Sequence, residues 1–216
     1  MSHGQGAPVG SSQRPRTRRD EQRERTRAEL LDAAASVFAA RGFNGASVDQ
    51  VAEAAGFTKG AVYSNFDSKE ELFVALLDLQ LDRTLDALEG VLRDVAPEHR
   101  SHVASHWHAE LPVLDGSWFL LEAEFLLYAA RKDDPDIRQR VAARQQRTRA
   151  SVTSILERHL ADLGITEPAI PAVDIARLLM AAADGLAQAS LVDETARDSD
   201  RLFGTLLELL QAAAAR

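Results

Sequence analysis

The chain has no cysteine, only two tryptophans and two tyrosines in 216 residues, and no apolar run long enough to cross a membrane. The missing cysteine excludes disulfides and thiolate-bound metals, and it fits a reducing compartment. A membrane span needs roughly 18–20 apolar residues in sequence, and no such stretch occurs. The N-terminal MSHGQGAPVGSSQRPRTRR lacks the apolar centre of a signal peptide, so a cytoplasmic protein is expected. No strand-like alternation and no internal repeat is present. Neither a phosphate-binding glycine loop nor a G-x-S-x-G elbow occurs. No Glu-x-x-His pair is found, which argues against a di-metal carboxylate bundle. The expectation is therefore of a protein that is not an enzyme and carries no cofactor and no metal.

What is present is helix-forming. Forty-five per cent of residues are hydrophobic, with alanine and leucine abundant, and the length suffices for one large or two small domains. The net charge of −8 is unevenly spread. Residues 1–70 hold 10 Lys+Arg against 9 Asp+Glu, whereas residues 71–216 hold 15 against 24. Seven arginines fall within residues 14–27, against three acids. Such a basic arm either contacts DNA phosphates and the minor groove or is a solvated, disordered tail.

Ser47 to Lys69, SVDQVAEAAGFTKGAVYSNFDSK, reads as two short helices around a tight turn. Ser47 and Gln50 have capping-box spacing. Val48, Val51, Ala52 and Ala55 form one apolar face. Gly56 stands where a helix end needs a left-handed residue, and Thr58 caps the next helix, about Lys59 to Phe66. That second helix turns Val62 and Phe66 inward and leaves Lys59, Gly60, Ala61, Tyr63, Ser64 and Asn65 outward. Ser68 and Glu71 have capping-box spacing again. This is a helix-turn-helix whose second helix enters the DNA major groove by its N-terminal residues. Lys59 can reach a phosphate or guanine, Gly60 lets the backbone approach, and Ala61 can touch a thymine methyl. Ser64 and Asn65 are candidates for base or phosphate contact. Ser47 and Lys69 are placed as clamps on the DNA backbone.

The segment from about Arg23 to Leu77 closely resembles the N-terminal domain of the tetracycline-repressor (TetR) family of bacterial regulators. The residues carrying the resemblance are Leu30-Leu31-Asp32-Ala33-Ala34, Val37-Phe38, Arg41-Gly42-Phe43, Ser47-Val48 and Val51-Ala52. They continue through Ala55 to Ala61, Val62-Tyr63, Asn65-Phe66 and Lys69-Glu70-Glu71-Leu72. Beyond Leu77 the likeness is one of size and helical character only. The resemblance implies a phosphate contact near Tyr63, a ligand cavity among the middle helices, and a four-helix dimer interface from the last two.

The expected fold is all-α, with about nine helices in two parts. Residues 1–20 are expected to be a disordered basic arm, 21–67 the helix-turn-helix domain, and 68–216 a helical body for ligand binding and dimerisation. The first helix is expected over about Glu21 to Arg41. The next long helix runs from Ser68 towards Asp94 and belongs to both parts, which makes it a lever. Further helices are expected from Pro97 to Leu111, Ser117 to Ala130, Asp134-Pro135 to Leu163, Ala172 to Leu191 and Ser199 to Ala215.

Trp107, Trp118, Phe119, Phe125 and Tyr128 gather most of the body's aromatics. They are core or pocket wall, and His102, His106, Glu122, Asp184 and Gln188 are polar residues on helices otherwise expected to be buried. These ten are the candidate pocket residues. His99, His102, His106 and His108 could hold a metal, but without an acidic pair in register they read better as a polar helix face. Ile175, Leu178, Leu179, Ala182 and Leu186 form one apolar stripe, and Leu202, Leu206, Leu209, Leu210 and Ala213 another. These are the candidate dimer interface, since one recognition helix alone discriminates poorly. The expected function is a homodimeric regulator, more a repressor than an activator. It would bind a palindromic double-stranded operator and leave it when a small, mainly apolar inducer binds. The rivals are a helical-bundle enzyme or carrier using the histidines and carboxylates, and a ligand-independent regulator or activator.

Overall fold

The computed structural model describes residues 17–100, 103, 116–191 and 199–215. Every regular element among them is helical: α1 (Arg18–Gly45), α2 (Val48–Ala54), α3 (Lys59–Tyr63), α4 (Lys69–Arg93), a 3₁₀ turn (Pro97–His99), α5 (Gly116–Arg131), α6 (Pro135–Asp162), α7 (Ala172–Ser190) and α8 (Ser199–Ala214). Most of the expected helix from Pro97 to Leu111 lies outside the described residues.

Capping chemistry sets the boundaries. Thr17 accepts from the Asp20 amide while the Asp20 carboxylate accepts from the Thr17 amide. This box starts α1 three residues earlier than expected and takes Arg18, Arg19 and Asp20 out of the arm. Gly42 interrupts α1 with φ +71° and ψ 170°, and one further helical turn follows it. Ser68 caps α4 by accepting from the Glu71 amide at 3.1 Å. Glu71 reaches one residue further back than its spacing implied, accepting from the Asp67 amide at 2.6 Å. The Asp134 carboxylate caps α6 ahead of Pro135, and Gly164 ends it at φ +79°.

Two apolar clusters hold these helices. The first joins α1, α2, α3, α4 and α5: Leu30, Phe38, Phe43, Val51, Val62, Phe66, Leu72, Phe73 and Leu76 pack with Leu121, Phe125 and Ala129. At its centre Phe43 meets Phe73, Phe125 and Tyr128 with ring centroids 4.8–5.0 Å apart, in edge or tilted geometry. The second cluster joins the end of α6 to α7 and α8 through Leu156, Leu160, Ile175, Ala176, Leu179 and Ala214. The head, α1 to α3, therefore shares its core with α4 and α5, while α7 and α8 pack on the end of α6 and α7 also touches α5.

The turn at Gly42 is the tightest constraint. A Cβ there would lie 2.7 Å from a carboxylate oxygen of Glu124, and the backbone dihedrals suit glycine alone. Gly42→Ala is expected to cost about 1–3 kcal/mol of stability. Urea unfolding checks this, and an unchanged midpoint would contradict it.

Candidate nucleic-acid interface

The turn between α2 and α3 is built from the chain ends upward. Gly56 is left-handed at φ +71°, its amide donates to the Glu53 carbonyl, and the Phe57 amide donates back to Ala52 at 2.9 Å. This Schellman closure stops α2 cleanly. Thr58 then accepts from the Ala61 amide at 3.2 Å and starts α3. Val62 and Phe66 are each 1% exposed, as the pattern required, so α3 is pinned by its inner face. α3 spans only Lys59–Tyr63, three residues short of the expected Phe66, because Ser64 already caps its end.

The outer face divides in two. Ser47, Thr58, Lys59, Gly60 and Tyr63 are exposed, Tyr63 at 46%. Lys59 rests on Asp49 of α2 at 2.9 Å, both side chains in solvent. The hydrogen bond and charge of Asp49 raise the Lys59 pKa, so the lysine stays cationic. At Gly60 a Cβ would meet nothing nearer than the Thr58 hydroxyl at 3.8 Å. Packing thus does not demand this glycine. Ala61 is half-buried.

The other expected contacts bond to nearby carbonyls, Ser64 in an exposed position and Asn65 and Lys69 in half-buried ones. Asn65 is half-buried, its side-chain Nδ2 donates to the Ala61 carbonyl at 2.9 Å, and its side-chain Oδ1 is buried without a partner. The Ser64 hydroxyl donates to the same carbonyl at 2.8 Å. Lys69 does not stand out as a clamp. Its ammonium donates to the Ala46 carbonyl at 2.8 Å and sits 4.5 Å from the centre of the Phe43 ring. Burial lowers its pKa. These side chains bond to carbonyls of the protein itself, which their spacing in the sequence could not reveal.

Behind the interface, Glu124 of α5 binds the turn that ends α1. Its carboxylate accepts from the amides of Phe43 and Asn44, each at 2.8 Å, and from the Asn44 side chain at 2.7 Å. Glu70 at the start of α4 accepts from the Tyr128 hydroxyl and from Lys132, the latter at 2.9 Å. Burial pushes the Glu70 carboxyl up, but these hydrogen bonds outweigh it and hold its pKa at about 2. Glu124, Glu70 and Lys132 were not among the expected site residues. Their pairings span 58 to 81 residues, and no local signal carries them.

The expected pocket residues that are described, Trp118, Phe119, Glu122, Phe125, Tyr128, Asp184 and Gln188, divide between core and surface. Phe125 is 1% exposed inside the first cluster, and Tyr128 packs on Phe43, so both are core at the head–body joint. Glu122 pairs with Arg144 of α6, which also faces Asp78 of α4 at 3.8 Å. Asp184 is exposed in the single chain, yet burial raises its pKa, with Glu122 adding to the effect and Arg144 opposing it. Gln188 is exposed, and Trp118 and Phe119 are half-buried. His102, His106, Trp107 and His108 lie outside the described residues. No group of three or more metal-ligating side chains occurs among the described residues. A cleft at the joint is lined by Asn44, Glu124, Leu127, Tyr128, Arg131 and Lys132, and of the expected pocket residues only Tyr128 borders it.

The two leucine stripes also split. Ile175 and Leu179 are buried within the chain, and Leu206 and Leu210 pack against them. Ala182, Leu186 and Ala213 are half-buried. Leu178, Leu202 and Leu209 remain 50%, 45% and 63% exposed. Among the described residues no helix is long and apolar enough to cross a membrane.

Comparison with known proteins matches this geometry. Residues 30–76 fit the family model for bacterial regulatory proteins of the tetR family. The chain is 37% identical over 91 residues to the transcriptional activator FasR of Mycolicibacterium smegmatis, covering 42% of this chain and 40% of FasR. It thus spans less than half of that relative's length. It is 29% identical over 177 residues to the regulator YfiR of Bacillus subtilis, covering 79% of this chain and 82% of YfiR. A solved structure concerning the control of antibiotic production by a bacterial hormone superposes with TM-score 0.62 at 29% identity, covering 88% of this chain and 97% of the other.

Lys59→Ala is expected to weaken binding to the preferred DNA sequence by about 1–3 kcal/mol if the ammonium reads a base, with relaxed preference at one position. If it meets only phosphate, the loss is uniform across sequences and the salt dependence becomes shallower. Fluorescence anisotropy at several salt concentrations separates the two. Unchanged affinity in both Lys59→Ala and Tyr63→Ala would remove α3 from the interface.

Proposed function

This chain belongs to the tetR family of bacterial regulatory proteins, a family of regulators rather than enzymes, and from that premise we propose a homodimeric repressor that a small ligand releases from a palindromic operator. One observation carries the reading: Lys59, Gly60 and Tyr63 present an outer face on α3 that no internal packing uses. A dimer supplies the second recognition helix that a single short one needs. The two half-sites then lie about one helical turn, roughly 34–36 Å, or a multiple apart. The protein works in the cytoplasm, where its operator is.

Leu178, Leu202 and Leu209 support the dimer, since α7 and α8 leave these three large apolar side chains in solvent. Ile175 and Leu179 serve the chain's own core instead. Leu209→Glu is expected to give a folded monomer, because a partner would bury its charge unpaired. Sedimentation at micromolar concentration checks it. A variant that remains dimeric would move the interface elsewhere.

Release requires a ligand that binds better to the conformation unfit for DNA. The contacts of α5 support its place in the relay: Glu124 grips the end of α1, Tyr128 and Lys132 hold the start of α4, and Glu122 faces Arg144 of α6. A shift of α5 therefore moves the head. The ligand we propose is small and mainly apolar, and the cleft at the joint, lined by Leu127 and Tyr128 beside Asn44, Glu124, Arg131 and Lys132, adds groups for a hydrogen-bonding end. FasR is an activator, so a reporter gene placed behind the selected operator decides the sign of the response. The two tryptophans give the direct test. An inducer is expected to change their emission and lower operator affinity together, and operator DNA to weaken inducer binding by the same factor. Emission that changes without any loss of affinity would leave a ligand-independent regulator.

A further inference from the structure

We infer that Arg27 is a positioning residue for DNA recognition: it fixes the pose of α3 against α1, and its charge is spent inside the protein rather than on DNA. The inference rests on the reading of α3 as the recognition helix. Five residues are too few to sustain a helix alone, because nucleation is costly and propagation has no length over which to repay it. α3 must be held from outside at its start, on its inner face and at its end. Thr58 holds the start, and Val62 and Phe66 hold the face.

The end needs acceptors satisfied. The Gly60 carbonyl takes the Ser64 amide, and the Val62 carbonyl takes the amides of Asn65 and Phe66. The Ala61 carbonyl takes the side chains of Ser64 and Asn65. The Asn65 carbonyl takes Arg27 Nη1 at 2.8 Å, across 38 residues of chain. The same guanidinium lies over the Phe66 ring, 4.1 Å from its centroid, and that ring is 1% exposed. One planar cation thus bonds the carbonyl that follows α3 with its edge and covers the anchor of α3 with its face. A lysine's compact ammonium can bond a carbonyl near a ring, as Lys69 does at Phe43, but it has no flat face to stack on the ring while its edge donates. A cation at a helix C-terminus is also favoured by the aligned peptide dipoles. Arg27 is half-buried, unlike Arg18, Arg19, Arg23 and Arg25 on the same helix, which are exposed. The basic run of the sequence therefore contains one arginine of a different kind.

The test uses the full-length protein, wild type against Arg27→Ala and Arg27→Lys. Binding is measured over a range of salt to the duplex recovered by selection from random DNA and to a random duplex of equal length. Amide exchange is measured on the free protein. Arg27→Ala is expected to lower affinity for the selected duplex by about tenfold or more and to leave the random duplex within about twofold, with the salt slope unchanged. Amides of residues 61–66 should exchange at least about tenfold faster, while α4 keeps its protection. Arg27→Lys should recover little of either. Equal losses on both duplexes, with a slope shallower by about 0.9, would make Arg27 a phosphate contact and overturn the inference. So would unchanged exchange in residues 61–66. Should Arg27→Ala fail to fold, Phe66→Leu removes the ring while keeping an apolar anchor, and the same exchange outcome decides. A wild-type protein that selects no sequence would count against the DNA-binding reading, and the exchange measurement would still judge the brace.

Discussion

One carboxylate holds the head to the body. Glu124 reaches from α5 to the turn ending α1 and meets three N–H donors there, two of them successive backbone amides. The Phe43 bond is part-buried, so removing the carboxylate leaves that amide without a partner, whereas the two Asn44 bonds are open to water. Much else follows from this contact. Gly42 needs glycine for its φ of +71°, and a Cβ there would also push against the carboxylate. Phe43, fixed by its amide, is delivered into the aromatic group of Phe38, Phe73, Phe125 and Tyr128. Lys69 covers the other side of the Phe43 ring and so ties the start of α4 to the same point.

The outward face of the head is held more loosely. Lys59 pairs with Asp49 in solvent, where water and salt screen the attraction. A phosphate can take the lysine at little cost. The bonds of Asn65 and Lys69 to backbone carbonyls are part-buried, whereas that of Ser64 is exposed. The interface combines a rigid frame with a few exposed, exchangeable groups.

Local chemistry was the readable part of this protein. The caps at Ser47, Thr58, Ser68 and Asp134 and the left-handed glycines at 42, 56 and 164 speak within four residues, and helix order followed from them. Even there, Thr17 was missed, because its acidic partner lay in a run dominated by arginine. Periodicity told which residues avoid water but not what they meet. Phe125 and Tyr128 looked equally suited to a cavity wall and to the core they occupy. The leucines of α7 and α8 could not be sorted into inner and outer, since three or four residues of spacing serve both. Glu122 rather than Glu124 drew attention in the sequence, although the two differ only in which neighbour α5 turns them towards.

The apolar cluster that runs without a break from α1 into α5 bears on how such regulators can be recombined. A head cut from this chain after α3 would carry Phe38, Phe43 and Leu30 into water, with nothing to replace Phe73, Leu121 and Phe125. A foreign head grafted onto this body would have to bring its own glycine turn within reach of Glu124 and a ring to fill the place of Phe43. The unit of exchange is therefore the joint, and a chimera that respects the boundary between α3 and α4 while ignoring α5 would inherit two half-cores.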